Sequence, residues 1–165
     1  MKSPDWRISH GASEVRLDPG GVTAMAGSGW RARYERVSFG PGFHMNLGHV
    51  ETDTPMEQVV SEQDDIPQSI SVWAPITGRA TLTTEDAPEL AFKPWRGAML
   101  VAKDRTATFR FPASQTFRFL SVAVSVDLFV SLLDGKTPAT LRPLVESRGR
   151  ATVVRERPIK ARPVR

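Results

Sequence analysis

Short stretches with the alternating pattern of β-strands fill most of this chain before residue 126, and turn residues separate them. The stretches are rich in β-branched and aromatic side chains, as strands usually are, while Gly, Pro, Asp and Ser stand between them. The predicted strands are residues 30–39, 43–51, 68–76, 79–84, 98–103, 106–111 and 116–124. Many short strands joined by turns predict an all-β barrel or sandwich. A chain of 165 residues is long enough to bury one such core.

Alternation along each strand predicts which side chains face the core, because successive residues of a strand point to opposite faces. Over residues 43–49 the apolar set is Phe43, Met45 and Leu47, with His49 next on the same face. His44 and Asn46 are therefore expected on the other face. On the last two strands the predicted buried set is Phe109, Phe111, Phe117, Phe119 and Ala123, with Arg110 and Arg118 outside.

The strand pattern changes to a helical one after Ser125, which can cap the first free amides of a helix. Gly135 stands where a left-handed C-terminal cap is expected. A second helix is predicted to begin at Thr137, with Pro138 in its first turn, although Pro143 should bend it. Apolar residues recur at helical spacing in both segments: Leu128, Phe129, Leu132 and Leu133, then Leu141, Leu144 and Val145.

The charge distribution separates a basic tail from the rest of the chain. Residues 148–165 carry seven basic side chains and one acidic side chain, whereas the remainder has 15 basic and 17 acidic groups. A protein that binds duplex DNA needs a basic patch on its folded surface, and this body has no such excess. The prolines in "RERPIKARPVR" favour a solvated linker, while transient phosphate contact by the tail stays open.

These patterns predict four regions. Residues 1–29 form an N-terminal extension that could add a strand, 30–125 the β-barrel, 126–148 two short helices, and 149–165 a basic linker towards a domain that is not present. The absence of cysteine excludes disulfides and thiolate metal sites. The sequence also has no apolar run of membrane-spanning length and no signal-peptide core, so we expect a cytoplasmic protein without membrane contact.

Four segments follow one another in a distinctive order and spacing. They are "ISVWAPITGRATLTTED" with Gly78 in its turn, "LAFKPWRGAMLVAKD", "FRFLSVAVSVDLFVSLLDG" and "TPATLRPLVESRG". From about Trp30 to Arg148 the chain thereby resembles the N-terminal domain of AraC-type bacterial transcription regulators, particularly the siderophore-regulator-like branch. The resemblance implies a cupin-like barrel (a double-stranded β-helix or jelly roll) that binds a small-molecule effector, and helices that form a homodimer. It also implies DNA binding only through a C-terminal helix-turn-helix domain, which this sequence lacks.

A ligand pocket in such a barrel needs apolar walls and a few orienting polar groups. Trp73 is the strongest candidate because "SVWAP" places a large flat side chain in mid-strand, although plain core packing remains the simpler explanation. No cofactor is predicted. The candidate ligand-binding residues are Trp73, Met45 and His49, with Tyr34 or Arg33 on the preceding strand, depending on its register. The residues expected to divide between barrel contact and dimer contact are Leu128, Leu132, Leu141, Leu144 and Val145.

A small cupin-fold enzyme is the alternative from another class, and a free-standing small-molecule-binding protein is a third. A metal site in that fold needs clustered histidines and a carboxylate. His44 and His49 are five positions apart on one predicted strand, so they should point to opposite faces. His49 and Glu51 share a face and form a weak metal candidate. No nucleophile elbow, phosphate loop or thiol nucleophile is present, so no catalytic residue is predicted.

Overall fold

The structure of the protein is a computed structural model that describes residues 6–10, 13–17, 21–62, 69–84, 87–102, 106–134, 136–139, 141–142, 145, 152–153 and 157–158. Most of these residues belong to β-strands. In chain order the elements are β1 (Trp6–His10), β2 (Ser13–Leu17), β3 (Val22–Gly27), β4 (Trp30–Ser38), β5 (Phe43–Thr52), β6 (Met56–Glu62), β7 (Ser69–Thr77), β8 (Ala80–Thr84), β9 (Ala87–Phe92), β10 (Arg96–Ala102), β11 (Thr106–Phe111), β12 (Gln115–Ser125), α1 (Val126–Leu132), β13 (Thr152–Val153) and β14 (Arg157–Pro158).

The strands from β5 to β12 form one long hairpin that is coiled upon itself. β5 pairs with β12, β6 with β11, β7 with β10 and β8 with β9, always antiparallel. Coiling distributes these pairs over two sheets, with the order β10-β7-β12-β5 in one and β6-β11-β8-β9 in the other. This order is that of a jelly roll. The predicted all-β, double-stranded β-helix is therefore confirmed.

Further strands lengthen both sheets. β4 and β3 extend the first, here called the large sheet, beyond β5, while β1 and β2 extend the second, the small sheet, beyond β6. The N-terminal extension 1–29 thus contributes β1, β2 and β3, where one extra strand was expected. Among the described residues no hydrogen-bonded strand pair joins the two sheets. The jelly roll is therefore open, and the predicted barrel is not closed.

An aromatic cluster fills the space between the sheets at one end. The ring centroid of Trp73 lies 4.8 Å from that of Phe119, 5.4 Å from that of Phe92 and 5.5 Å from that of Phe109. Burial of these rings removes a large apolar surface from water and holds the sheets together. The inward residues predicted on β11 and β12 are confirmed as buried, namely Phe109, Phe111, Phe117, Phe119 and Ala123, and Arg110 and Arg118 are exposed.

The orientation of β5 is opposite to the predicted one. The buried residues of β5 are even-numbered, with His44, Gly48, Val50 and Thr52 among them, so Asn46 also faces inward and Phe43, Met45, Leu47 and His49 face outward. The physical reason lies at Gly48. A Cβ atom built there would lie 2.0 Å from Cε1 of Phe119, so the Phe119 ring occupies the space that a side chain would take. Alternation of apolar residues was misleading here because the inner face carries polar side chains with partners of their own.

The helix α1 packs on the outer face of the large sheet. The Ser125 hydroxyl accepts a hydrogen bond from the backbone N–H of Leu128 at 3.3 Å, which confirms the predicted N-cap. Ile70 of β7 is buried on that face beneath partly buried side chains: Met99, Val126, Phe129, Leu141 and Val145. No helix in the described part of the chain is long and apolar enough to cross a membrane.

The second predicted helix is described only in part. The backbone N–H groups of Arg142 and Val145 donate to the carbonyls of Pro138 and Leu141, four residues earlier, as in a helix. Pro143 and Leu144 lie outside the described residues. Of the two predicted helices, the described part of the chain therefore contains α1 as a continuous element.

The basic tail contributes two short pairs to the edge strand β10. Within the predicted linker 149–165, β13 pairs with Leu100 and Val101, and β14 pairs with Arg96 and Gly97. These four tail residues lie along β10, where an extended linker was expected. The other residues of 149–165 lie outside the described part of the chain.

Candidate functional site

The inner face of the large sheet is arranged in rows that cross its strands. Strand register defines three successive rows: Tyr34, Gly48, Phe119 and Pro75; then Arg36, Asn46, Ser121, Trp73 and Ala98; then Ser38, His44, Ala123, Ser71 and Leu100. The first row is mostly apolar and continues into the aromatic cluster. The other two rows contain mainly polar or small side chains. The interior of the jelly roll therefore changes from aromatic at one end to polar at the other.

Small side chains face the polar end from the second sheet. On the small sheet, Val60, Ala107 and Thr84 form the corresponding row, and all three are half-buried although they face inward. By contrast, Val50 and Phe117 at the aromatic end are fully buried. We call this polar part of the interior the polar chamber and define it by six inward residues: Arg36, His44, Asn46, Ser71, Ala107 and Ser121.

Asn46 links Arg36 to Ser121 across three neighbouring strands. Nε of Arg36 donates to Oδ1 of Asn46 at 2.8 Å, and Nδ2 of Asn46 donates to Oγ of Ser121 at 3.1 Å. Only 5% of Arg36 and 2% of Ser121 are exposed. Burying a guanidinium is costly unless hydrogen bonds or opposite charges compensate for the lost water. The network therefore fixes a cation in the chamber wall.

His44 is a buried imidazole without a hydrogen-bond partner in the described part of the chain. It is 5% exposed, and neither Nδ1 nor Nε2 has a donor or acceptor within reach. Burial, with the charge of Arg36 as the second cause, lowers the pKa of His44 below its ordinary value. The imidazole is therefore held in its neutral form, in which one nitrogen donates and the other accepts.

Two further donors without partners lie on inward-facing positions next to the polar chamber. The Tyr34 hydroxyl donates to Oε1 of Gln58 at 2.5 Å, which leaves Nε2 of Gln58 unpartnered, and Nε1 of Trp73 is likewise unpartnered among the described residues. Burial raises the pKa of Tyr34, so its phenol stays protonated and remains a donor. A buried polar group without a partner costs about 1–3 kcal/mol. Such groups in a folded protein call for an explanation, and a bound molecule is one.

The structure divides the five predicted ligand-binding residues between the two faces of the large sheet. Trp73 and Tyr34 face inward, next to the polar chamber. Met45, His49 and Arg33 face outward, so they cannot contact a ligand held with Trp73 between the sheets. The predicted strands that carry these residues were therefore correct, but the predicted face of β5 was wrong. Of the two alternatives left open on the preceding strand, Tyr34 is the inward residue and Arg33 the outward one.

Sequence reasoning missed four polar residues of the chamber: Arg36, His44, Asn46 and Ser121. One signal was available on β4, where Trp30, Ala32 and Tyr34 alternate inward and Arg36 is the next residue on that face. The pairing of β4 with β5 then places Asn46 opposite Arg36. Without that pairing, polar residues on β5 are indistinguishable from solvent-facing ones.

The weak metal candidate lies on the outer face of the large sheet, in a shallow depression of about 400 Å³. Nε2 of His49 lies 3.0 Å from Oε1 of Glu51, and Nε of Arg31 contacts the other carboxylate oxygen. The hydrogen bond from Arg31 lowers the pKa of Glu51. The carboxylate thus already has a cationic partner. Among the described residues, no group of three His, Asp or Glu side chains could hold a metal ion.

The sequence matches no family model and no curated protein. Solved structures resemble the fold weakly. The Cnp3 cupin domain of Schizosaccharomyces pombe has 11% identity and a TM-score of 0.47, over 77% of this chain and 86% of that chain. A cupin 2 conserved barrel domain protein from Salinispora arenicola CNS-205 has 15% identity and a TM-score of 0.41, over 64% and 85% of the two chains. A structure of the DMSP lyases RdDddP and RnDddQII has 8% identity and a TM-score of 0.39, over 57% and 47%. Similarity of this size assigns neither a family nor an activity, and the fold assignment rests on the strand order.

Proposed function

We propose that this chain is the effector-sensing module of an AraC-type transcription regulator and that it binds a small organic molecule in the polar chamber. The observation that carries the binding proposal is the set of buried polar atoms without partners on His44, Gln58 and Trp73. All three residues occupy inward positions: His44 in the polar chamber, Trp73 in the row that joins it to the aromatic cluster, and Gln58 in register with Phe109. A ligand there would supply the missing hydrogen-bond partners.

A purely structural role explains these groups less well. Apolar side chains of similar size would avoid the penalty of about 1–3 kcal/mol for each unpartnered buried group. Most of the aromatic end of the same interior follows that rule, since Phe92, Phe117 and Val50 are almost completely buried, and Gln58 is the exception.

β12 connects the polar chamber directly to α1. Ser121 lines the chamber, and Ser125, on the same strand, caps α1 through the backbone N–H of Leu128. The sheet surface on which α1 packs belongs partly to β7, the strand that carries Ser71 and Trp73. A ligand that shifts β12 or β7 would therefore change the packing of α1. Such a signal requires different ligand affinities in the two arrangements.

The regulatory part of the proposal extends beyond these contacts. The helical segment 126–148 would form a homodimer, and a helix-turn-helix domain encoded after Arg165 would bind DNA. The nucleotide sequence of the native reading frame beyond codon 165 tests this part. A helix-turn-helix pattern there supports the regulator, whereas an immediate stop codon overturns it and favours a free-standing binding protein.

Ligand binding itself can be tested with a library of small neutral and charged organic fragments, monitored by saturation-transfer NMR on the full chain. Ala107→Leu should fill the chamber and abolish the signals of bound fragments. Ala74→Leu is the matched control, because Ala74 is also half-buried but lies on the outer face of β7. Thermal unfolding of both variants establishes that each is folded. Binding by no fragment, or equal loss in both variants, overturns the proposal.

A further inference from the structure

We infer that two copies of this chain associate through the outer face of the large sheet, with α1 of each copy docked on the shallow depression of its partner. This inference rests on the homodimer of the proposed function and names the surface that receives the helix. It follows from three features of one face: an apolar centre, a protruding helix at one corner and the depression at the opposite corner.

Apolar side chains cover the middle of this outer face on four neighbouring strands. They form two successive rows in register, and none of them is buried. We call these six residues the apolar patch: Val37, Met45, Leu47, Val72, Leu120 and Val122. Leu47 is 38% exposed and Val72 is 43% exposed. Soluble monomers rarely expose a contiguous apolar patch of more than a few hundred Å², and larger patches usually mark an interaction site.

The helix α1 and the depression lie at opposite corners of the face. α1 covers Ile70, which is in register with Val124 and, through it, with Phe43 at the start of β5. The depression is lined by residues near the other end of β5 and on the strands beyond it, such as Glu51 on β5 and Ala24 on β3. The apolar patch therefore lies between a protrusion and a hollow.

A two-fold axis that lies in the plane of the interface would bring these features together. In such a dimer the same face of both copies is used, so every contact occurs twice. When the axis crosses the apolar patch at right angles to the line between α1 and the depression, α1 of each copy lies over the depression of the other. The two apolar patches then cover each other. This self-complementarity favours a second copy of the chain over an unrelated partner.

The charges are complementary in the same arrangement. Asp127 in α1 and Asp134 just after it are exposed, and residues 126–134 contain no basic side chain. At the depression Arg31 pairs with Glu51, whereas Arg33 has no ion pair within the described part of the chain. Opposite charges across an interface fix its register and accelerate association. The acidic helix of one copy would therefore meet a cationic surface on the other.

The size of the face is that of a stable dimer contact. The five strands from β10 to β4, about 4.8 Å apart, and the five outward positions of β5, about 6.8 Å apart, give a face of roughly 650 Å². A standard interface buries about 800 Å² of accessible surface on each partner. Leu132, which is 69% exposed at the end of α1, would add an apolar contact to the exposed Ala24 and Ala26 in the depression.

Sedimentation velocity over a concentration series tests whether the full chain dimerises through this face. Leu47→Glu and Arg33→Glu should each raise the dissociation constant of the dimer about tenfold or more, because each change occurs twice in the interface. Ala91→Glu and Arg110→Glu make the same kinds of change on the outer face of the small sheet, and they should leave the constant unchanged.

Thermal unfolding establishes that each variant is folded. Arg33 is exposed, so Arg33→Glu tests the face even when Leu47→Glu does not fold. A wild-type chain that is monomeric at every concentration overturns the inference. Equal weakening of the dimer by the small-sheet variants overturns it as well.

Cross-linking distinguishes docking of α1 on the sheet from contact between two helices. The chain has no cysteine, so single cysteines can be placed at chosen positions. A mixture of Leu132→Cys and Ala24→Cys, treated with a short bismaleimide after subunit exchange, should give a covalent heterodimer that mass spectrometry identifies. A mixture of Leu132→Cys and Arg110→Cys should not. Absence of the first heterodimer, or a higher yield from Leu132→Cys alone, overturns the inference.

The inference and the proposed function fail in different ways. If Leu132→Glu dissociates the dimer while Leu47→Glu and Arg33→Glu do not, the proposed homodimer stands, but its helices do not dock on the sheet face. If the wild-type chain is monomeric, the homodimer and the inference are both wrong. Small-molecule binding is decided separately by the fragment library.

Discussion

Gly48 lies directly beneath the ring of Phe119, and a Cβ atom at position 48 would be 2.0 Å from Cε1 of that ring. The ring cannot move aside easily because its centroid lies 4.8 Å from that of Trp73 and 5.6 Å from that of Phe117. We therefore expect Gly48→Ala to lower the free energy of unfolding by about 1–3 kcal/mol through overpacking. Urea unfolding followed by circular dichroism measures this change.

A smaller side chain at position 119 should relieve the clash at Gly48. In the double variant Gly48→Ala with Phe119→Leu, the loss of stability should be smaller than the sum of the two single losses, since the residues are in contact. Strict additivity would show that the ring of Phe119 does not lie over Gly48.

Much of the fold follows from local sequence patterns. The strands on both sides of the turn at Gly78 and the inward phenylalanines of β11 and β12 were predictable, because apolar alternation there coincides with burial. The N-cap at Ser125 was predictable from local side-chain chemistry alone. The pairing of β13 and β14 with β10 was not, because a two-residue strand has no periodicity of its own.

The candidate site could not be predicted because its polar residues depend on pairing across strands. His44 and Asn46 occupy positions that alternation on β5 assigns to solvent, and only the contacts with Arg36 and Ser121 make an inward Asn46 favourable. Gly48 has no side chain, so Val50 is the one apolar residue among the inward positions of β5, and it does not outweigh the outward set of Phe43, Met45 and Leu47. The register that brings these residues together is a tertiary property.

Acidification should destabilise the protein through His44. Burial lowers the pKa of His44 in the folded state below its ordinary value of 6.5, so the unfolded chain binds this proton more readily. The contribution of His44 to stability is therefore unchanged above about pH 6.5 and falls as the pH decreases from there through the folded-state pKa. Urea unfolding of the wild type at a series of pH values between 7.5 and 5, on the order of half a pH unit apart, measures this slope.

The His44→Asn variant separates this effect from other titrating groups. In this variant the free energy of unfolding should no longer fall with pH just below pH 6.5. His49→Asn, on the outer face of the same strand, should leave that fall in place. If the wild type and His44→Asn show the same pH dependence, His44 is not held neutral in the folded protein.

The hydrogen bond between Tyr34 and Gln58 joins the inner faces of the two sheets. Tyr34→Phe removes the donor and leaves the amide of Gln58, which is 1% exposed, without the partner for its oxygen. We expect a loss of about 1–3 kcal/mol in the free energy of unfolding. In the Gln58→Leu background, Tyr34→Phe should lower the free energy of unfolding by less, because no buried amide is left without a partner. Equal costs in both backgrounds, measured by urea unfolding, would contradict the hydrogen bond.

The predicted dimer residues of the helical segment have different surroundings, and this difference yields separate expectations for them. Leu132 is 69% exposed at the end of α1, whereas Leu141 packs against Ile70 on the large sheet. In the homodimer proposed above, Leu132→Glu should shift the mass measured by sedimentation-velocity centrifugation from that of a dimer to that of a monomer. The new carboxylate would lose its hydration at the interface.

Leu141→Glu should act within the monomer and lower the free energy of unfolding, since a carboxylate would replace apolar packing over Ile70. Leu132→Glu should change the free energy of unfolding by no more than about 0.5 kcal/mol when it is measured at a protein concentration low enough for the chain to be monomeric. The comparison matters because both variants introduce the same charge within one segment. If the mass of Leu132→Glu equals that of the wild type, Leu132 lies outside any dimer contact.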